Sequence, residues 1–308
     1  MNMQYLKYAI EVARTGSINK AADELFVSQP NLSRAIKELE KDLGIMVFDR
    51  NSTGMTLTPD GERLVSYGKK ILREIEEVEE MLKTGENKKS TLTVSVPRAS
   101  YISYAFAHFT EKLLKEEQCD IFYKETNALR AINNILRGDY KLGIIRYASV
   151  HDRQFKEMLE AKKLNYELIT EFNYCILTNK KSPLTELDEV KFSDLEYYIE
   201  IAHADPYVPT LPMADVRKEE LPDNIKRRIF VFERASQFDM MAVNPELFMW
   251  VSPIPDETLM RYGLTTLKCN ENVRLYRDVL IYPEDYKLTN LDKAFISCLC
   301  DAKRKFFG

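Results

Sequence analysis

Gln29, Ser33, Arg34, Lys37 and Lys41 follow one another at steps of four, one, three and four. That spacing gathers them on one side of an α-helix. Amide, hydroxyl and guanidinium groups can pair with base edges, and lysine suits phosphate. No acid interrupts the run from Gln29 to Lys37. The opposite side carries Leu32, Ile36, Leu39 and Leu43, a single apolar stripe. Ser28 is placed to N-cap this helix with its hydroxyl. Pro30 fits the first turn, where a missing N–H costs nothing. Val27 and Leu32 can form a hydrophobic staple across the cap. The chemistry this predicts is entry into a DNA major groove. Gln29 and Ser33 would meet base edges, Arg34 a base or a phosphate, and Lys37 a phosphate, with Ser28, Pro30 and Asn31 at the leading end. The plainer alternative is a three-helix bundle with a solvated polar face, which requires cap, staple, stripe and basic face to coincide by chance.

The elements that must hold this helix are legible on both sides. Ser17 caps a predicted helix over residues 18–26, whose Ala21, Ala22 and Leu25 give a small, close-packing face. The connection to the next helix is only a few residues long, as a helix-turn-helix requires. Upstream, Leu6, Ala9, Ile10 and Ala13 predict the inner face of a first helix. Downstream, residues 46–50 read as a strand, 51–54 as a turn and 55–57 as a return strand. This wing adds Arg50 to the DNA-contacting set.

The pattern Ala21-Ala22-x-x-Leu25-x-Val27-Ser28-Gln29-Pro30-x-Leu32-Ser33-x-x-Ile36-x-x-Leu39-Glu40-x-x-Leu43-Gly44-x-x-x-Phe48-x-Arg50 is similar to the N-terminal domain of LysR-type transcriptional regulators. Leu57-Thr58-Pro59-x-Gly61 continues the resemblance. It is dense to about residue 85 and weaker beyond, where order and spacing of strands carry it. Thr53 stands where many members have an arginine. The stretch 204–226, rich in proline and charge, does not align with the family pattern.

Composition narrows the classes. A chain of 308 residues with 45% hydrophobic content can hold more than one domain and a sizeable core. No stretch approaches a transmembrane helix and no signal pattern opens the chain, so a cytoplasmic protein without membrane contact is expected. The five cysteines are scattered, and Cys298-x-Cys300 with three histidines makes no zinc site. Both cysteines are read as packing residues, and neither metal nor cofactor is expected. Acids and bases nearly balance through residue 60, so only the local face is basic. Phosphate contacts are therefore few per subunit, and affinity should depend on dimerisation.

A dimeriser follows. Thr58 caps and Pro59 opens a helix in which Leu64, Gly68, Ile71, Ile75, Val78 and Leu82 keep a three-four spacing, a coiled-coil seam. The resemblance implies a linker helix that pairs two subunits. The partners expected are double-stranded DNA, a second copy in a homodimer that extends to a tetramer, a small-molecule effector and RNA polymerase. A lone amphipathic helix packed on its own domain is the alternative.

From residue 91 strands alternate with helices, an α/β pattern. The fold class expected is α/β behind an N-terminal all-α winged helix-turn-helix. The resemblance implies a two-lobed sensor of the periplasmic-binding-protein type (type 2). Expected bounds are 1–58 for the DNA-binding domain, 59–90 for linker helix and hinge, and 91–308 for the effector domain. Lobe I takes 91–164 and 270–308, lobe II takes 170–263, and strands at 165–169 and 264–269 cross between them. Ligands in such folds sit where strand ends and helix N-termini face a crevice. Arg98, Ser100, Thr126, Asn127 and Arg146 follow strands of the first lobe, and His203 and Ser236 stand at such ends in the second. Two arginines and several helix N-termini favour a small anion. Helix capping alone would equally explain Ser100, Thr126 and Ser236, and exposed salt bridges would equally explain Arg98 and Arg146. Two other functions remain: a regulator whose C-terminal domain only oligomerises, and, remotely, an enzyme on the two-lobed domain. No nucleophile motif, phosphate loop or metal cluster supports the enzyme.

Overall fold

The computed structural model describes residues 2–51, 54–84, 90–115, 118–203, 205–221, 223–232 and 234–308. The chain divides into two compact units, Met1–Lys88 and Lys89–Gly308.

The first unit begins with α1 (Met3–Thr15), capped by Asn2, whose side chain accepts the Gln4 N–H at 2.9 Å. Leu6, Ala9 and Val12 are its buried face. α2 (Ile18–Glu24) is capped by Ser17 and stops two residues before the expected end. The reason lies in the backbone. Phe26 takes a left-handed φ of 54°, so that Phe26 N–H reaches the Asp23 carbonyl and Val27 N–H the Ala22 carbonyl. This is a Schellman turn with phenylalanine in the place that favours glycine. α3 (Gln29–Leu43) follows at once. Ser28 occupies the cap position, but its hydroxyl makes no capping bond. Pro30 has no N–H to offer, and Asn31 N–H goes to the Ser28 carbonyl at 3.0 Å instead.

β1 (Phe48–Asn51) and β2 (Gly54–Leu57) pair antiparallel with Phe48 opposite Leu57. The first strand starts later than expected because the preceding backbone is held elsewhere. The buried Glu40 carboxylate of α3 accepts the N–H groups of Val47 and Phe48 at 2.8 and 3.2 Å. Gly54 is required where β2 meets the end of α1. A Cβ there would lie 2.7 Å from the Gly16 carbonyl oxygen, and Gly54 has φ of 135°. Ser52, Thr53 and the Arg50 side chain lie outside the described residues.

α4 (Pro59–Thr84) is capped as expected, with Thr58 Oγ1 accepting Gly61 N–H at 2.9 Å. Its first turns do not form an open seam. Leu64 packs against the core of its own domain, and a Cβ on Gly68 would lie 2.6 Å from Leu6 Cδ1. Leu64 is thus partly buried against its own domain, and the small Gly68 lets α4 lie directly on α1. Farther along, Ile71 and Val78 are exposed and Ile75 is half-buried. The Leu82 side chain and residues 85–89 lie outside the described residues.

The second unit holds two five-stranded sheets. In chain order its elements are β3 (Ser90–Val96), α5 (Ser100–Thr110), β4 (Cys119–Glu125), α6 (Ala128–Leu136), β5 (Leu142–Ala148), α7 (Asp152–Ala161), β6 (Leu164–Asn173), β7 (Cys175–Asn179), β8 (Ile199–His203), α8 (Met213–Glu220), β9 (Arg227–Val231), α9 (Ala235–Val243), β10 (Leu247–Val251), α10 (Asp256–Tyr262), β11 (Leu264–Leu267), β12 (Leu275–Pro283) and α11 (Asn290–Phe307). The first sheet has the order β4-β3-β5-β12-β6 and the second β11-β7-β10-β8-β9. β3, β4 and β5 run parallel, and β12 is antiparallel to both its neighbours.

The crossings fall later than the sequence predicts. Residues 165–169 sit inside β6, which pairs with β12 from Leu164 to Asn173. Leu264 to Leu267 pair with β7 as an edge of the second sheet. The chain changes lobe at Tyr174 and again between β11 and β12. Of the two C-terminal cysteines, Cys298 is buried in the first lobe's core, whereas Cys300 is exposed on the outer face of α11.

The stretch that fits no family pattern has a definite place. The connection from β8 to β9 does not return along its own sheet. Val208 and Val216 are buried in the first lobe against Ala128, Ile132 and Phe155. Residues 205–221 therefore tie the second lobe to the first along one side of the cleft.

Candidate functional site

In the first unit, burial of Leu32, Ala35, Ile36 and Leu39 turns the other side of α3 outward. Gln29, Pro30, Asn31, Arg34 and Lys37 are exposed and Ser33 is half-buried. Gln29, Ser33 and Lys37 share a line at four-residue spacing, with Arg34 beside it. Among the described residues, the Gln29, Arg34 and Lys37 side chains make no hydrogen bond or ion pair. The neighbouring Glu38 is drawn to one flank, where it accepts the Tyr5 hydroxyl at 2.8 Å. Glu40 positions the wing from beneath, a role the sequence does not advertise. The Arg50 side chain lies outside the described residues.

In the second unit, a cavity of about 380 Å³ opens between the two lobes. Arg98, Ser100, Thr126, Asn127, Arg146 and His203 all line it, as the sequence predicts. Ser236 does not. α9 starts one residue earlier than expected, which leaves Ser236 exposed and turns Gln237 to the cavity.

The electrostatics differ from a cation-rich cleft. Arg146 donates from Nε and Nη2 to the two oxygens of Asp278 at 2.7 and 2.6 Å. Asp278 is fully buried and also accepts the Tyr101 hydroxyl at 2.5 Å. The Arg146 guanidinium stacks over the Phe172 ring, 4.7 Å from its centroid. Arg98 pairs with Asp205 at 3.2 Å, and Asn127 donates to the Asp205 carbonyl at 2.9 Å. Both charges that the sequence offers for an anion are therefore neutralised by carboxylates from distant parts of the chain.

Arg234 and Gln237 escaped the sequence reading. Arg234 reaches from the second lobe to Ser100, Ser103 and Glu125 of the first, at 2.8, 2.8 and 3.1 Å. Gln237 is 4% exposed, and its Oε1 takes no hydrogen bond among the described residues. The signal for Arg234 was its position at the cap of α9, facing the crevice. His203 Nδ1 lies 3.4 Å from the Val231 carbonyl and must carry the proton to bond it. Burial, reinforced by the nearby Arg98 charge, lowers this imidazole to a pKa of about 4. The ring is therefore neutral near pH 7, and Nε2 is left as an acceptor.

Comparison with known proteins places the first unit. Residues 3–62 match the model of the bacterial regulatory helix-turn-helix protein, lysR family. The chain is 51% identical over 77 residues to the HTH-type transcriptional regulator GltR of Bacillus subtilis, a stretch of 25% of this chain and 26% of GltR. The first unit carries a lysR-family helix-turn-helix domain. In that domain α2 and α3 are the helix-turn-helix pair, and α3 presents the Gln29 to Lys37 face. The matches to GltR and to other curated relatives span about a quarter to a third of those proteins' lengths.

Likeness of fold extends farther than likeness of sequence. Full-length CbnR in complex with its target DNA is similar with a TM-score of 0.61 at 17% identity, covering 98% of this chain and 100% of that one. LysG of Corynebacterium glutamicum with bound effector Arg is similar with a TM-score of 0.60 at 14% identity, covering 99% of each chain. The lysR-family domain is thus followed by an α/β unit whose fold is similar to that in these two structures. No helix among the described residues is long and apolar enough to cross a membrane.

Proposed function

We propose that this chain is a DNA-binding transcriptional regulator whose C-terminal unit responds to a small molecule in the cleft between its lobes. The single observation that carries the reading is the outward face of α3 within a lysR-family domain: Gln29, Arg34 and Lys37 are exposed, and among the described residues they have no partner. Gln29 and Ser33 read base edges, Arg34 a base or phosphate, and Lys37 phosphate. Ser28, Pro30, Asn31 and the wing's Arg50 complete the contact set.

Few cations per subunit make a second copy necessary. Ile71, Ile75 and Val78 of α4, together with Leu82, form the pairing seam of a homodimer that works in the cytoplasm. Assembly into tetramers and contact with RNA polymerase belong to the same reading. The cavity and the unfilled Gln237 acceptor favour an effector-responsive unit over one that only oligomerises. The likeness to LysG, whose structure holds a bound effector, supports this. Curated relatives named as regulators support a binding protein over an enzyme.

Footprinting tests the DNA reading. Duplexes are selected from a random pool with the full chain, and protection is mapped on those enriched. A dimer presenting two α3 helices should protect two half-sites about 34–36 Å apart, or a multiple of that spacing, on one face of the duplex. Protection of a single site, or failure to enrich any sequence, contradicts the proposal.

A further inference from the structure

We propose that the cavity takes a small zwitterion, an α-amino acid in chemical class, with its carboxylate at the start of α5 and its ammonium group toward Gln237. This rests on reading the second unit as effector-binding and names the ligand class of that site.

Charge is the first argument. Arg98, Arg146, Arg234 and Arg274 line the cavity. Each has a carboxylate close by: Asp205 at 3.2 Å, Asp278 at 2.6 Å, Glu125 at 3.1 Å and Glu220 at 3.2 Å. No lysine is among the lining residues. Glu200, Glu219 and Glu271 line it as well, so a simple anion would add a further negative charge to a wall that already holds more acids than arginines, and a buried unpaired charge is strongly unfavourable. A zwitterion adds none.

The donors and acceptors supply the second argument. At the start of α5, Ala99 has no side chain to cap the helix, so no side-chain cap takes up its first N–H groups. Ser100 Oγ accepts from Arg234 Nη2 at 2.8 Å, which leaves the Ser100 hydroxyl proton free to donate elsewhere. Thr126, buried at the end of β4, adds a second hydroxyl. These groups suit a carboxylate. Across the cleft, beside Arg234, whose guanidinium is engaged by Ser100, Ser103 and Glu125, stand two acceptors. Gln237 Oε1 is buried without a donor among the described residues, and the neutral His203 presents Nε2. A buried acceptor left empty is costly, so a ligand that supplies N–H protons there is favoured over one that supplies oxygen.

Size agrees. About 380 Å³ is near the lower end of ligand pockets. Tyr207 and Val208 of the cross-lobe connection close one side and hold the space to that of a small metabolite.

The test is calorimetric melting of the full chain with each of the common L-amino acids. Every hit is repeated with its N-acetyl and desamino counterparts and with simple dicarboxylates. At least one amino acid should raise the midpoint of the C-terminal unit. Loss of the ammonium group should weaken binding at least about tenfold. Gln237→Leu should erase that preference, so that amino and desamino acids bind alike. Gln237→Glu, which keeps an acceptor in the same place, should retain it and serves if the leucine variant fails to fold. A desamino acid or dicarboxylate that binds the parent chain as well as the amino acid overturns the zwitterion while leaving an effector cavity intact. No shift with any of these probes overturns the zwitterion and the effector reading together, and leaves the footprint to judge the DNA reading.

Discussion

Asp278→Ala should lower the unfolding free energy of the C-terminal unit by about 3–5 kcal/mol, the cost of breaking a buried ion pair by removing one partner. Asp278 is fully buried and holds Arg146 through two bonds of 2.7 and 2.6 Å. Without it, a guanidinium only 11% exposed has no opposite charge. Tyr101 loses its acceptor as well, and burial holds that phenol protonated and in need of one. The single tryptophan, Trp250 on β10, lies in this unit and reports its unfolding by fluorescence. The urea midpoint should fall with an unchanged slope. Replacing both partners together, Arg146→Met with Asp278→Leu, should recover most of the loss, since neither charge is then stranded. A loss below about 1 kcal/mol in the single variant, the size of an ordinary neutral hydrogen bond, would show that the pair does not hold the lobe.

Ile71→Asp combined with Ile75→Asp should convert the chain to a monomer and weaken its affinity for a selected duplex by about 10²–10⁴-fold, the usual gain from joining two binding modules. Ile71 is exposed and Ile75 half-buried within one copy, so the helix-turn-helix unit has little to lose from the change. Leu64 would be the wrong residue to alter, because it packs against the core of its own domain and its loss would destabilise the reader as well. Sedimentation and gel shift at equal protein concentration measure the two quantities. A dimer that survives the double change, with duplex affinity intact, would place the pairing surface elsewhere.

Much of the first unit could be read in the chain because its information is local. The stripe of Leu32, Ile36 and Leu39 repeats within a helix and is buried as its spacing predicts. Thr58 caps α4 from an adjacent position. Ser28 shows how a local rule yields to its neighbour, since Pro30 removes the N–H that a serine cap would use. Glu40 reads as one more charge on a polar face, yet it turns inward to hold the wing backbone. The cleft was legible only in half. Strand ends located Ser100, Thr126 and His203, but the partners that set their electrostatics are remote. Arg98 meets Asp205 across 107 residues, and Arg146 meets Asp278 across 132. No periodicity couples such positions, so the sequence leaves open whether the two arginines are cations for a ligand or salt-bridge partners, and it names neither partner. Asp278 did leave a trace, as a lone acid beside the apolar run Val279-Leu280-Ile281. The all-apolar strand Leu247–Val251 was passed over because a fully buried strand shows no alternation. The cross-lobe connection was unreadable for the opposite reason, since Val208 and Val216, which enter the first lobe's core, stand isolated in a stretch rich in proline and charge.

The most direct test of the central claim, that α3 reads base sequence, is a ratio. The full chain and its Arg34→Ala variant are titrated, at one salt concentration, against a selected duplex and against the same bases in scrambled order. The parent should prefer the selected duplex by at least about 10³-fold. Loss of one good base contact per subunit should cut that preference by about 1–3 kcal/mol for each copy of the helix, while binding to the scrambled duplex changes far less. The melting midpoints of the two proteins should coincide, because Arg34 is exposed and makes no hydrogen bond or ion pair among the described residues. A parent that binds both duplexes equally, or a variant that keeps the full preference, would contradict the assignment of α3 as the reading helix.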